Sequence, residues 1–240
     1  MLYLSQLLGV PVEDQHSVRV GKIIDVLVSA AQVGQSEAVY PTALLIEGEA
    51  DQPWRTPLNA LERQDDLIRL LVPLEQLTPQ AETHEEQEIR LAEDVLDKEV
   101  IDIKRKKAVR VNDVCLQDDW RVLGIDNSTL GLVRRLAPSW LLGPKSRHVP
   151  ATLIPWERIE LIGSSHREEQ EPEGRAATGP HPVVRVPSGH LAELHPADIA
   201  EIVHQLTPGE GARIIERLDD EIAADTMEEI DTERQRHILE

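Results

Sequence analysis

The chain has 240 residues, 25 basic and 44 acidic side chains, and a formal charge of −19. It has one Cys and no Phe, and only 2% of its residues are aromatic, so any core must come from Leu, Ile, Val and Ala, which favours several small modules over one large enzyme. The lone Cys115 excludes a disulfide framework or a Cys-based zinc cluster and fits a reducing compartment. No apolar run reaches the ~18–20 residues of a membrane helix, and Met1-Leu-Tyr-Leu-Ser lacks a signal peptide's basic start, so a cytosolic chain is expected.

Charge is unevenly spread. Residues 1–79 sum to −6, 80–90 to −3, 91–165 to +1, 166–188 to −1 and 189–240 to −10. A polyanion repels phosphate backbones and attracts cations, which argues against nucleic acid and for divalent metal or a basic protein surface.

In chain order, Val18 to Val28 is a β-branched run with Gly21 available for a bulge or turn, and Tyr40 to Ile46 is a second apolar run. Pro57-Leu58 and Leu67 to Val72 are further extended candidates. Together they predict a small barrel or sandwich over 1–79. Residues 80–90, acidic and without apolar periodicity, read as a solvated linker.

A second β module is expected over 91–165, from Val100–Ile103, Ala108–Val114, Trp120–Ile125 and Thr152–Trp156. It resembles the first. Val18-Arg-Val-Gly-Lys-Ile23 aligns with Val109-Arg-Val-Asn-Asp-Val114, Leu4 to Leu8 with Leu91 to Val95, and Pro57-Leu58 with Pro155-Trp156, which points to an internal duplication. The turn Lys104-Arg-Lys-Lys107 is a dense basic cluster. It is read as a solvated hairpin tip or, functionally, as a contact to the acidic C-terminal segment of the same molecule, with lipid head groups or RNA as other partners.

Residues 166–188, with four prolines, read as an extended linker. Over 189–240 a helical unit recurs every 12 residues, opening at His195, Thr207, Asp219 and Asp231 and closing on Leu206, Leu218 and Ile230. Thr207, Asp219 and Asp231 suit N-caps, Pro196 and Pro208 suit the first helical position, and Glu210 completes a capping box with Thr207. Helices this short need stacked neighbours to supply a core, as in α-solenoids. The sequence stops in its fourth helix without a capping repeat, so a fragment of a longer protein is expected.

The repeat, with its His195-Pro-Ala-Asp-Ile-Ala-Glu201 opening, resembles the cytosolic N-terminal domain of the MgtE magnesium transporters, an acidic superhelix. The two β modules resemble PRC-barrel domains, with Val20-Gly-Lys-Ile-Ile-Asp-Val26 as the typical stretch and Asn112-Asp113 standing where the first copy has Gly21-Lys22. The fold class is therefore multidomain α+β: two small PRC-like β-barrels followed by an all-α superhelix of short helices. The resemblance implies a bacterial regulatory region that senses Mg²⁺, with downstream CBS and membrane domains of the same or a partner chain as its partners; a homodimer is also allowed.

Asp225 falls where the family places an acidic ligand, and Glu221, Asp225 and Glu228 or Glu229 share a helix face by the i, i+3 and i+4 rule. Carboxylates suit a hard cation such as Mg²⁺. Asp198 and Glu201 read as first-helix residues, with Asp198 complementing the helix dipole. His195 reads as a helix start, and His204 and His237 lack a second soft ligand, so zinc is not expected. No Gly-rich phosphate loop, Gly-x-Ser-x-Gly or His-Glu-x-x-His is present, and Asp65-Asp66 and Asp118-Asp119 read as surface pairs, so no enzyme is expected. The competing reading is a free-standing interaction adaptor with no metal role; RNA-associated work is a third.

Overall fold

A computed structural model of the chain describes residues 1–32, 38–48, 53–64, 67–79, 88–136, 153–162 and 190–239. The Pro-rich linker, Asp65-Asp66 and residues 80–87 of the acidic linker lie outside them. In the first half, strand β1 (Leu2–Tyr3) runs into the single-turn helix α1 (Leu4–Leu7), followed by β2 (Pro11–Glu13) and β3 (Arg19–Ser29). Strands β4 (Pro41–Glu47), β5 (Trp54–Pro57), β6 (Leu61–Gln64), β7 (Leu67–Leu70) and β8 (Thr78–Pro79) complete it. The second half contains β9 (Glu88–Arg90), a π turn at Leu91–Val95, β10 (Glu99–Asp102), β11 (Lys107–Arg110), β12 (Asp113–Leu116), β13 (Val122–Asp126), α2 (Thr129–Leu136), β14 (Leu153–Pro155) and β15 (Ile159–Leu161).

Strand pairing carries the duplication. Lys22 faces Pro11 and Gly21 faces Val12 in the first half, while Arg110 faces Glu99 and Val109 faces Val100 in the second. Gly21 therefore corresponds to Val109, and the Val-Arg-Val match of the sequence is out of register by three residues. The true counterpart of Asn112-Asp113 is Ile24-Asp25. The other two matches hold. Pro57 and Pro155 both face the middle of a preceding strand and both lead into a 3₁₀ turn. Leu4 and Leu91 both open the leading turn, closed by Leu8 N–H to Leu4 O (3.1 Å) in one half and by Leu96 N–H to Leu91 O (2.9 Å) in the other. The second closure is one residue longer, so the π turn absorbs a single-residue insertion between the copies.

The halves exchange their leading strands. Leu2 and Tyr3 of β1 pair with Leu116 and Cys115 of β12, and Glu88 to Arg90 of β9 pair with Ser29 to Leu27 of β3. Glu88 to Arg90 are thus a strand and not solvated linker. The Glu88 carboxylate is buried there because Arg55 (2.6 Å) and the Thr42 hydroxyl (2.5 Å) satisfy it. One hydrophobic core runs through both halves, from Leu4, Ile23, Val26 and Leu44 to Leu91, Val114, Ile125 and Trp156.

Two closed barrels do not form among the described residues. The strands lie in open sheets of eight, four and three strands, the eight-stranded one running β6-β7-β2-β3-β4-β5-β8 with β9 on β3. Each half gives its leading strand to the other, while the outer strands of the eight-stranded sheet, β6 and β8, each pair on one side only among the described residues. The halves also differ at one position: β3 crosses Ile24 with a bulge, whereas the equivalent strand breaks at Asn112 into β11 and β12. Asn112 disfavours the strand, and its amide donates to Ser128 O (2.9 Å).

At Gly21 a side chain would collide with the β4 backbone, since a Cβ would lie 2.3 Å from Glu47 O. The requirement is close approach of backbones.

Four helices follow: α3 (Pro196–Gln205), α4 (Pro208–Glu216), α5 (Asp220–Glu229) and α6 (Thr232–Leu239). The 12-residue period produces them. Pro196 and Pro208 occupy the first turn, Thr207 and Glu210 form the capping box, and Asp231 Oδ1 accepts from Arg234 N–H (2.9 Å). Asp219 takes the N-cap position without a side-chain hydrogen bond. The closing residues Leu206, Leu218 and Ile230 are all buried. Helix α3 packs on α5 and α4 on α6, so the short helices supply one another's core.

Candidate functional site

The helices present two different surfaces. The inner one closes on the β body, where Ile101 of β10 and Ile162 join Leu191, Ile199, Ile202, Val203 and Ile214 in one apolar cluster. Polar contacts fix its orientation. Arg217, at the C-cap of α4, donates to Leu161 O (2.6 Å) and to Glu160 (3.0 Å). Burial raises the Glu160 carboxyl, against the pull of Arg217 and of the His190 and Leu191 backbone N–H groups. The same burial lowers the Arg217 guanidinium, and Glu160 offsets it.

Lys106 of the basic turn meets Asp198 of α3 at 2.5 Å, and Gln205 accepts from Ala108 N–H (3.3 Å) along the edge of β11. The contact between the basic turn and the acidic segment, read from charge alone, is present through Lys106. Asp198 sits in the first turn of α3, where it also complements the helix dipole. His195 is the N-cap of α3, its Nδ1 accepting from Ala197 N–H (3.3 Å).

The outer surface is anionic. From Asp219 to Asp231 the sequence holds seven carboxylates and no Lys or Arg. Glu221, Asp225, Glu228 and Glu229 are all exposed on α5, while Thr226 is buried and Ile222, Ala223 and Met227 pack inward. Glu228 and Glu229 stand in the last turn, where the helix dipole also disfavours negative charge. None of the four forms an ion pair among the described residues, so a cation arriving there meets unneutralised charge. Among the described residues no three Asp, Glu, His or Cys side chains are gathered closely enough to enclose a metal ion. What the face offers is a row of separate carboxylates. Such a row suits a hydrated hard cation better than a closed cage.

The helix ends are held from the neighbouring unit. Arg234 of α6 donates to Val203 O (2.9 Å) and to Leu206 O, and the Gln235 amide donates to Met227 O (2.6 Å) and Ile230 O (2.9 Å). These bonds satisfy carbonyls that short helices leave open. His204 lies 3.7 Å from Asp231, and no second His or Cys joins it among the described residues.

Residues 194–240 match the MgtE intracellular N domain. No curated protein matches the chain. The match opens one residue before the His195 cap and spans α3 to α6, so the MgtE resemblance of the 12-residue repeat is borne out. The β body lies outside it. No helix among the described residues is long and apolar enough to cross a membrane.

The sequence missed the carboxylates that matter inside the β body. Asp25, Asp102, Asp113, Asp126 and Glu160 are all buried. Asp25 accepts from Val26 N–H (2.7 Å), Ala92 N–H (2.7 Å) and Glu93 N–H (3.2 Å), capping the π turn of the second half. Asp113, its duplicate, accepts from Ser5 N–H (3.1 Å) and the Ser5 hydroxyl (2.6 Å), serving α1 of the first half. The available signal was an Asp at an apolar position in each copy.

Proposed function

We propose that this chain is the cytosolic regulatory region of a divalent-metal transporter and that Mg²⁺ is the ion it senses. The carrying observation is the match of α3–α6 to the MgtE intracellular N domain, joined to the exposed carboxylates of α5, which form no ion pair among the described residues. Asp225, Glu221, Glu228 and Glu229 supply the oxygens, and CBS or membrane domains of the same or a partner chain supply the opposing surface. The β body, with its PRC-like stretch from Val20 to Val26, is the platform on which the helices are mounted. No catalytic step is assigned.

The mechanism is electrostatic. Like charges three and four residues apart on α5 repel by about 0.2–0.5 kcal/mol per pair, and a facing acidic domain adds to that cost. Without metal the assembly opens; with Mg²⁺ between the carboxylates it closes. The shift in population is set by how much more tightly Mg²⁺ binds the closed state.

Calorimetric titration of Mg²⁺ into the chain, with Ca²⁺ and Mn²⁺ as controls, tests this. Saturable binding at about millimolar Kd, abolished by Asp225→Asn, is expected. Absence of saturable heat, both for this chain and for one extended at its C-terminus, would leave the interaction-adaptor reading in its place.

A further inference from the structure

The basic turn between β10 and β11 carries more charge than its contacts within the chain use. Lys104, Arg105, Lys106 and Lys107 are all exposed. Lys106 pairs with Asp198 of α3 at 2.5 Å, and Arg105 lies 3.7 Å from the buried Asp102 carboxylate. Lys104 and Lys107 form no ion pair among the described residues. Lys106 reaches Asp198 from a left-handed backbone (φ 52°), a conformation that glycine adopts without strain. A cation therefore stands where the turn by itself would favour glycine.

The complementary surface is the outer face of α5. Glu221, Asp225, Glu228 and Glu229 are exposed there and form no ion pair among the described residues. Both surfaces border α3: the basic turn meets its start at Asp198, and α5 packs along it. Helix α3 has ten residues, about 15 Å of length, so the two surfaces are neighbours on the molecule. Among the described residues no ion pair joins them within one chain.

We infer that the basic turn and the outer face of α5 form a two-fold contact between copies of this chain, the turn of each copy seated on the α5 of the other. Charge complementarity names the occupant. A molecule that carries both signs as separate, neighbouring patches satisfies each of them when a second copy is brought up by a two-fold axis. Lys106 on Asp198 shows the turn already holding a helical carboxylate, and Lys104 and Lys107 continue that interface outward. The formal charge of −19 does not forbid the contact, because at physiological salt charges farther apart than about 8 Å are largely screened. Exposed ion pairs are individually weak, so the dimer is weak and sensitive to salt. The inference needs only that the carboxylates of α5 be exposed and is independent of metal binding there.

Sedimentation equilibrium of the full chain over a concentration series tests it, in a chelating buffer so that no metal bridges the carboxylates. Raising the salt from about 0.15 to about 1 M shortens the screening length from about 8 to about 3 Å, and the dimer present at the lower salt should dissolve. K104E/K107E and E228K/E229K are each expected to weaken the dimer about tenfold or more, since each reversal opposes like charges at both copies of the contact. An equimolar mixture of the two variants should restore it, because the reversed patches are again opposite in sign. All four side chains are exposed, and Lys suits the last turn of α5, so unchanged thermal melts will show that the variants are folded. A parent that stays monomeric, a dimer that persists at high salt or in either variant alone, or a mixture no more associated than its components would overturn the inference.

Discussion

Asp25 lies in the apolar middle of β3, where a carboxylate costs free energy unless its oxygens are satisfied. Burial pushes its pKa up to about 6, against the opposing pull of the Ala92, Val26 and Glu93 N–H groups and of the Arg90 charge. A carboxyl whose folded pKa exceeds its unfolded value contributes stability that is complete below about pH 4 and lost as pH rises through about 6. The difference between those pKa values corresponds to about 3 kcal/mol. Urea unfolding of Asp25→Asn should therefore lack about that much of the decline in stability that the parent shows between pH 4 and 7. Parallel pH profiles for the two proteins would remove Asp25 as its source. The sequence displays Asp25 inside the β-branched run from Val18 to Val28 but conceals its role, because the N–H groups it caps belong to Ala92 and Glu93 in the other half.

At the scale of the element, the C-terminal helices were the most legible part of the molecule, since each cap and each closing apolar residue is local and recurs every 12 positions. Their docking was not legible. Arg217 looks like any cation in a last helical turn, and only the fold places it beside Glu160, 4% exposed in its side chain, and Leu161 O. The acidic face of α5 was readable for the opposite reason, as exposure demands only that no basic residue intervene. Replacing one member of a buried pair strands the other, at a cost of about 3–5 kcal/mol, whereas replacing both with apolar residues is far milder. Arg217→Met is accordingly expected to lower stability by about 3 kcal/mol and to raise amide exchange across α3–α6. Combining it with Glu160→Leu should recover most of that loss. A single variant that exchanges like the parent would mean that the Ile101–Ile199 cluster alone holds the helices.

For the whole molecule, the duplication was visible in the sequence while the exchange it leads to was not. Pairing between β1 and β12 and between β9 and β3 joins residues from about 60 to more than 110 positions apart, and two- and three-residue strands carry no period from which a partner could be inferred. The Val-Arg-Val match misled because a β-rich sequence repeats such triplets by chance, whereas the equivalence that holds, Asp25 with Asp113, rests on single polar residues. The exchange has a thermodynamic consequence. A first half by itself would leave α1 without Asp113, β3 without β9, and Asp25 buried with neither Ala92 nor Glu93 to satisfy it. The second half would lose the complementary set. Residues 1–79 and 88–162, prepared separately, are therefore expected to show no cooperative thermal transition. Mixed in equal amounts they should form a 1:1 complex that melts as one unit. If 1–79 alone melts cooperatively, with a midpoint near that of the intact chain, then the two halves are independent modules and the exchanged strands are incidental to their stability.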